Sequence, residues 1–126
     1  TQPFRSLSQG KEMIDYYEKY NQNIFSCREH SFPLSFSFEI NSDKSYKTLF
    51  DDSPLVTGNT RSQDQKTYYH PDGSIYIFSV SSLEQNNSSI YHNARPYILD
   101  NKNYIDINNE SDLLLAESFD SKVITK

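Results

Sequence analysis

The chain has 126 residues, enough for one domain with a modest core, and its 35% hydrophobic content is reinforced by ten Tyr and eight Phe, each able to bury a large area. Seventeen acidic against twelve basic residues leave a net charge of -5, which argues against a backbone-driven nucleic-acid binder and against docking on an anionic membrane. The single Cys27 has no internal disulfide partner, so a reducing, cytoplasmic compartment is expected, and no apolar run reaches membrane-spanning length or follows a signal-peptide pattern.

Thr1 is not an initiator and the only Met, Met13, falls mid-helix, so the sequence reads as a processed piece or fragment. After the lead-in TQPFRSLSQG, Ser6 or Ser8 can cap a helix over roughly Gln9 to Tyr20, with Met13, Ile14, Tyr17 and Tyr20 on one face. Ile24 to Arg28 (IFSCR) predicts a buried strand, so that helix and strand make half of a crossover unit. Cys27 in such a strand reads as a buried, inert thiol. Leu34 to Ile40 alternates Leu34, Phe36, Phe38 and Ile40 with Ser35, Ser37 and Glu39, predicting a strand with one dry and one wet face. From Asn41 to Lys66 the chain is polar and without period, broken by turn signals at Asp51–Pro54 and Thr57–Asn59. A loop this long marks an excursion such as a lid or an intersubunit arm.

Pro71-Asp72-Gly73 predicts a turn, followed by a strand over Ser74 to Val80 with Ile75 and Ile77 opposite Tyr76 and Phe78. One or two helical turns are expected over Ser81–Gln85, then a loop at Asn86–Ser89, an edge strand over Arg95–Leu99 and a turn at Asp100–Asn103. Tyr104 to Ile107 alternates as a short strand that delivers Asp106 to the mouth of a helix starting near Glu110. Asn109 is the N-cap and Asp112 its reciprocal partner, and Leu113, Leu114, Ala116 and Phe119 form an apolar face. Asp106 then sits at a strand's carboxyl end, where open α/β sheets place ligand chemistry. His30, His70 and His92 lack ligand spacing, which disfavours zinc.

Taken together, DGSIYIF, RPYIL and YIDINNESDLLLAE resemble the C-terminal half of the cytidylyltransferases that activate sialic and other nonulosonic acids, the acylneuraminate cytidylyltransferase family. That family carries R-P-N-G-A-I-Y ahead of S-I-D-I-D-x-x-x-D. Here the segments read His70-Pro71-Asp72-Gly73-Ser74-Ile75-Tyr76 and Tyr104-Ile105-Asp106-Ile107-Asn108, with Asp112 following. Thr1-Gln2-Pro3-Phe4-Arg5 resembles the family's T-S-P-L-R, Glu29-His30 with Pro33 its E-x-x-H-x-P region, and Arg61-Ser62-Gln63-Asp64 its R-R-Q-D. The resemblance spans the whole chain in order, but only the last half of a family member.

It implies an α/β fold, part of a Rossmann-like nucleotidyltransferase of the nucleotide-diphospho-sugar transferase type, with about residues 41–69 forming a dimerisation and sugar-contacting arm. The nucleotide-binding half would lie upstream of Thr1, so this segment alone is expected to be inactive. The implied reaction transfers CMP from CTP to a sialic-acid-like sugar acid and releases pyrophosphate, in a homodimer serving surface-glycan synthesis. Mg²⁺ would be held by Asp106 and by Asn108, which stands in for the family's second aspartate and keeps an oxygen while losing a charge. Substrate contacts would come from Arg61, His70, Asp72 and Tyr76. Several positions depart from the family: Ser35 for a Lys, Ser62 with Arg61 one residue earlier, His70 for an Arg and Asp72 for an Asn. The competing readings are a solvated loop charge for Arg61, core packing for Tyr76 and a solvated strand-end carboxylate for Asp106. For the whole chain they are a catalytically inactive remnant or binding module of the same fold, or a small unrelated β-rich interaction domain.

Overall fold

The computed structural model describes residues 2–85, 89–100 and 104–123. The architecture is mixed α/β, in two compact units: Thr1–Arg28 with Pro71–Lys126, and Glu29–His70.

In the first unit, α1 (Leu7–Tyr20) begins where the Ser6 hydroxyl accepts from the Gln9 N–H at 3.2 Å and the Gln9 side chain accepts from the Ser6 N–H at 3.1 Å. This reciprocal cap satisfies two groups that a helix start otherwise leaves open. The helix ends at Asn21, whose left-handed backbone (φ 49°) lets its N–H reach the Tyr17 carbonyl at 2.7 Å. Met13 is fully buried, with Tyr16 and Tyr17 half-buried beside it, whereas Ile14, expected on that face, is exposed. Met13, Tyr16 and Tyr17 keep one-turn spacing, and Ile14 lies about 100° round the helix from Met13.

The sheet has the order β4-β1-β5, formed by β1 (Ile24–Glu29), β4 (Tyr69–Ile77) and β5 (Arg95–Ile98). β1 and β5 run parallel, Ile24 opposite Arg95 through Cys27 opposite Ile98, and because the sheet is mixed β4 runs against β1. The central position of β1 explains its burial on both faces, from Ile24 through Ser26, Cys27 and Arg28. β5 is an edge strand, as the sequence predicts, and Pro96 costs it no ladder partner there. The turn expected at Pro71–Gly73 is absent. β4 runs straight through it, and Gly73 (φ 71°) supplies a local left-handed residue within the strand instead of a reversal. α3 (Val80–Gln85) matches the expected helical turns. The expected loop at Asn86–Ser89 and turn at Asp100–Asn103 fall largely outside the described residues.

Tyr104–Ile107 is not a strand. Its alternation still marks a buried side, since Ile105 is buried, but among the described residues no strand pairs with it. α4 (Glu110–Val123) starts as expected: the Asp112 N–H donates to Asn109 Oδ1 at 3.0 Å, and Asp112 Oδ2 accepts from the Asn108 and Asn109 N–H groups at 3.0 and 3.1 Å. Its packed side is narrower than predicted. Ala116 is buried and Phe119 meets Phe4 edge-to-face at 6.1 Å, while Leu113, Leu114 and Leu115 are all exposed.

The second unit holds the polar excursion. Leu34–Ile40 splits into a 3-10 turn (Leu34–Phe36) and a short strand β2 (Phe38–Ile40), which pairs antiparallel with β3 (Tyr46–Thr48). The predicted dry face does not form: Leu34 and Phe36 are only half-buried. Ser35 is buried, its hydroxyl donating to Gln65 Oε1 at 3.0 Å and its carbonyl accepting from Ser53 Oγ at 2.9 Å, while Phe38 and Ile40 are 49% and 73% exposed. These two hydrogen bonds, one buried and one part-buried, hold Ser35 inward against the apolar pattern. Ser53 also caps the short helix α2 (Pro54–Thr57), which Gly58 ends with φ 77°. Among the described residues no helix is long and apolar enough to cross a membrane.

Candidate functional site

The site grows from a charged residue that an apolar central strand cannot hold alone. Arg28, buried on β1, donates from Nε to Asp72 Oδ2 on β4 at 2.7 Å, with side-chain exposures of only 8% and 0%. The remaining acceptor capacity of Asp72 is filled too. Ser26 Oγ donates to Oδ1, the Ser74 N–H donates to Oδ1 at 3.1 Å and Ser74 Oγ donates to Oδ2 at 2.8 Å. The Ser26 hydroxyl in turn accepts from the Ile75 N–H at 2.9 Å. Arg28 also donates to the Asp100 carbonyl, and its guanidinium lies 4.3 Å from the centre of the Tyr104 ring.

This network sets the charge state of Asp72. Burial is the largest single influence and pushes against ionisation, but the hydrogen bonds from Ser26, from the Ser74 backbone and side chain and from Arg28 together outweigh it. The carboxyl titrates below its ordinary range. Beside it, burial and then the charge of Asp72 push the Cys27 thiol up, which fits the inert thiol expected from the sequence.

On this base lies a pocket of about 200 Å³ lined by Gln2, Arg5, Asp72, Gly73 and Asp106. Gln2 ties the lead-in to the network, its amide donating to the Asp72 carbonyl at 3.4 Å and to the Tyr104 hydroxyl at 3.3 Å. Arg5 is held by the Ser74 carbonyl (Nη1, 3.1 Å) and the Gln2 carbonyl (Nε, 3.2 Å). The pocket thus sets a guanidinium, Arg5, and a carboxylate, Asp106, around one opening, so that both signs of charge border it.

Of the residues singled out from sequence, Asp72 and Asp106 are therefore brought together. The Asp72 side chain is committed to the protein interior and borders the pocket as a support. Asn108 is exposed, its amide donating to the Asp106 carbonyl at 3.3 Å. Tyr76 is not among the pocket's lining residues. Its hydroxyl bonds to that of Tyr91 at 3.0 Å, and this bond, with burial and the charges of Tyr91 and Asp72, pushes it up to about 12. Arg61 and His70 belong to the second unit. Arg61 is exposed, with its carbonyl held by the Gln65 amide at 3.1 Å, and His70 packs against His30 with ring centres 4.8 Å apart. Among the described residues no group of three or more His, Cys, Asp or Glu side chains is arranged to hold a metal ion.

Sequence reasoning overlooked Arg28, Ser26 and Ser74. The signal was present in IFSCR, because a guanidinium inside a buried strand requires a carboxylate opposite it. No protein-family model matches the chain, and no curated protein matches it.

Proposed function

We propose that this chain is part of a cytoplasmic, homodimeric cytidylyltransferase that transfers CMP from CTP to a sialic-acid-like nonulosonic acid, releasing pyrophosphate. The observation that carries the reading is the meeting of three family-like segments in one pocket: Gln2 and Arg5 from TQPFR, Asp72 and Gly73 from HPDGSIY, and Asp106 from YIDIN. These segments are far apart in sequence, and nothing in their composition requires them to share an opening. Under this reading the fold is the second half of a Rossmann-like nucleotidyltransferase, and the parallel pair β1–β5 presents the site near its carboxyl end.

Asp106 and Asn108 would hold Mg²⁺. A single carboxylate with an amide oxygen is a sparse protein set, but Mg²⁺ takes its remaining ligands from water and nucleotide phosphates. When bound, the ion neutralises phosphate charge. The chain's own residues do the rest. Arg5 faces the anionic group, Asp72 and Arg28 hold the wall in place, and Arg61 and His70 offer cationic or hydrogen-bonding contacts to the sugar acid from the arm, in the manner the resemblance implies.

The test is pyrophosphate release by the full-length protein carrying this sequence, supplied with CTP, Mg²⁺ and a panel of nonulosonic acids. Release supports the reading, and its absence from well-folded protein with every sugar acid sinks it. The 126-residue segment alone should show no turnover.

A second reading, a catalytically inactive module of the same fold, is favoured by one observation: Asp72, an acid at the pocket, is consumed by Arg28, while by the resemblance Asn108 stands where the family has its second aspartate. Both readings use the arm to pair subunits. Phe38, Ile40, Tyr46 and Leu49 are exposed on and beside the β2–β3 hairpin, an apolar surface suited to a second copy. Light scattering should report a dimer, and Ile40→Lys should convert it to monomer; a wild-type monomer removes the pairing role.

A further inference from the structure

At the amino end of β1, five residues or roughly 16 Å of strand away from Arg28, a second cleft of about 540 Å³ opens between the end of α1, α3 and the turn before β5. Its volume falls within the range of small-molecule sites. Among the described residues its lining contains amides, hydroxyls, a phenol and an imidazole, and no carboxylate, ammonium or guanidinium.

The floor is prearranged. The Asn23 amide bonds to Ser82 Oγ at 2.9 Å, and Asn23 Oδ1 accepts from the Ser79 N–H at 3.3 Å, which fixes α3 against the start of β1. The rim is the reverse: among the described residues the side chains of Tyr17, Asn21, Gln85, His92 and Asn93 make no hydrogen bond to protein. Five polar side chains therefore converge on one opening with their bonding capacity unspent. Asn21 and Asn93 both adopt left-handed backbone, φ 49° and 52°, at the two turns that frame it.

An amide offers a donor and an acceptor side by side, and so matches hydroxyl groups, which need both. Among the described residues the lining itself carries no charged side chain, and the Arg95 guanidinium beside it is already engaged, donating to Gln22 Oε1 at 3.0 Å and lying 4.2 Å from the centre of the Tyr20 ring, whereas the Arg5–Asp106 pocket supplies both signs. We propose that this cleft binds a neutral polyhydroxylated ligand of the carbohydrate class, at a place distinct from the charged pocket.

The experiment follows the side-chain amide signals of the isotope-labelled 126-residue chain by NMR as N-acetylglucosamine, galactose, maltose or myo-inositol is added. At least one of these should move the Asn21, Gln85 and Asn93 amides saturably. Gln85→Ala and His92→Ala should each weaken that binding by roughly three- to tenfold, the value of one hydrogen bond. Both sites are exposed, so thermal midpoints should be unchanged. Asn21 and Asn93 are left intact because Ala would be strained at their positive φ. Asp106→Asn should leave sugar binding unaltered. The proposal is overturned if no sugar in the panel moves these signals, if the two variants bind as wild type does, or if gluconate binds there more tightly than the neutral sugars.

Discussion

Replacing Arg28 with Met should destabilise the chain by about 3–5 kcal/mol, the cost of removing one member of a buried ion pair and leaving the other uncompensated. Met fills much of the volume, so the loss reports the charge and its hydrogen bonds more than a cavity. Asp72→Asn should be comparably harmful, because it leaves Arg28 buried against a neutral amide. In the double variant the losses should fall short of their sum by roughly 1–3 kcal/mol, the coupling expected of residues in direct contact. Urea denaturation of the four proteins measures this, and strict additivity would show that Arg28 and Asp72 do not act as a unit.

The same pair fixes the pH dependence. The carboxyl of Asp72 titrates below its ordinary value, so the stability it confers is complete above the unfolded-state pKa, about 4, and drains away as pH falls through the lower folded value. The gap between wild type and Arg28→Met should therefore be widest near neutrality and should narrow below about pH 4, where a protonated Asp72 no longer needs its cation. A gap that stays constant down to pH 2 would assign the stabilisation to Arg28 packing on Tyr104 instead.

This network also shows where pattern reading succeeds. Ser6, Asn109 and Asp112 declared their helix starts because capping is local, with donor and acceptor three residues apart. IFSCR declared a buried strand because a central strand needs no alternation. The failures in the extended segments are non-local. LSFSFEI has a clean two-residue period, yet Ser35 turns inward because Ser53 and Gln65 reach it from far along the chain. YIDI alternates but among the described residues pairs with no strand, and Pro71-Asp72-Gly73 has turn chemistry inside a strand that Ser26 and Arg28 hold through Asp72. For the site, resemblance pointed to Asp72 and Asp106, but not to the fact that one is consumed by an internal cation and the other faces the opening. Distinguishing these needs the partner across the sheet, and no spacing within either motif encodes it.

That distinction gives the second large effect. On the proposed cytidylyltransferase reading, Asp106→Ala in the full-length protein should lower pyrophosphate release by at least about a hundredfold, since a metal ligand at the reacting phosphate is worth several kcal/mol. Asn108→Asp should act in the opposite direction. The added carboxylate lies two residues before α4, on the favourable side of the helix dipole but beside the Asp112 carboxylate, which already takes the Asn108 and Asn109 N–H groups, a repulsion that a bound cation would relieve. Its loss is one weak bond, the 3.3 Å contact to the Asp106 carbonyl. One more charge facing Mg²⁺ at an effective dielectric near 20 contributes several kcal/mol before desolvation is subtracted, so half-saturation by Mg²⁺ should fall by about tenfold or more. The two variants together separate the readings. If wild type is active and Asp106→Ala is not, the carboxylate at the pocket is the metal ligand. If wild type is silent and Asn108→Asp releases pyrophosphate, the fold retains the machinery and a single lost charge disabled it. If Asp106→Ala leaves activity intact, the charged pocket is not the site of phosphate chemistry and the cytidylyltransferase assignment fails.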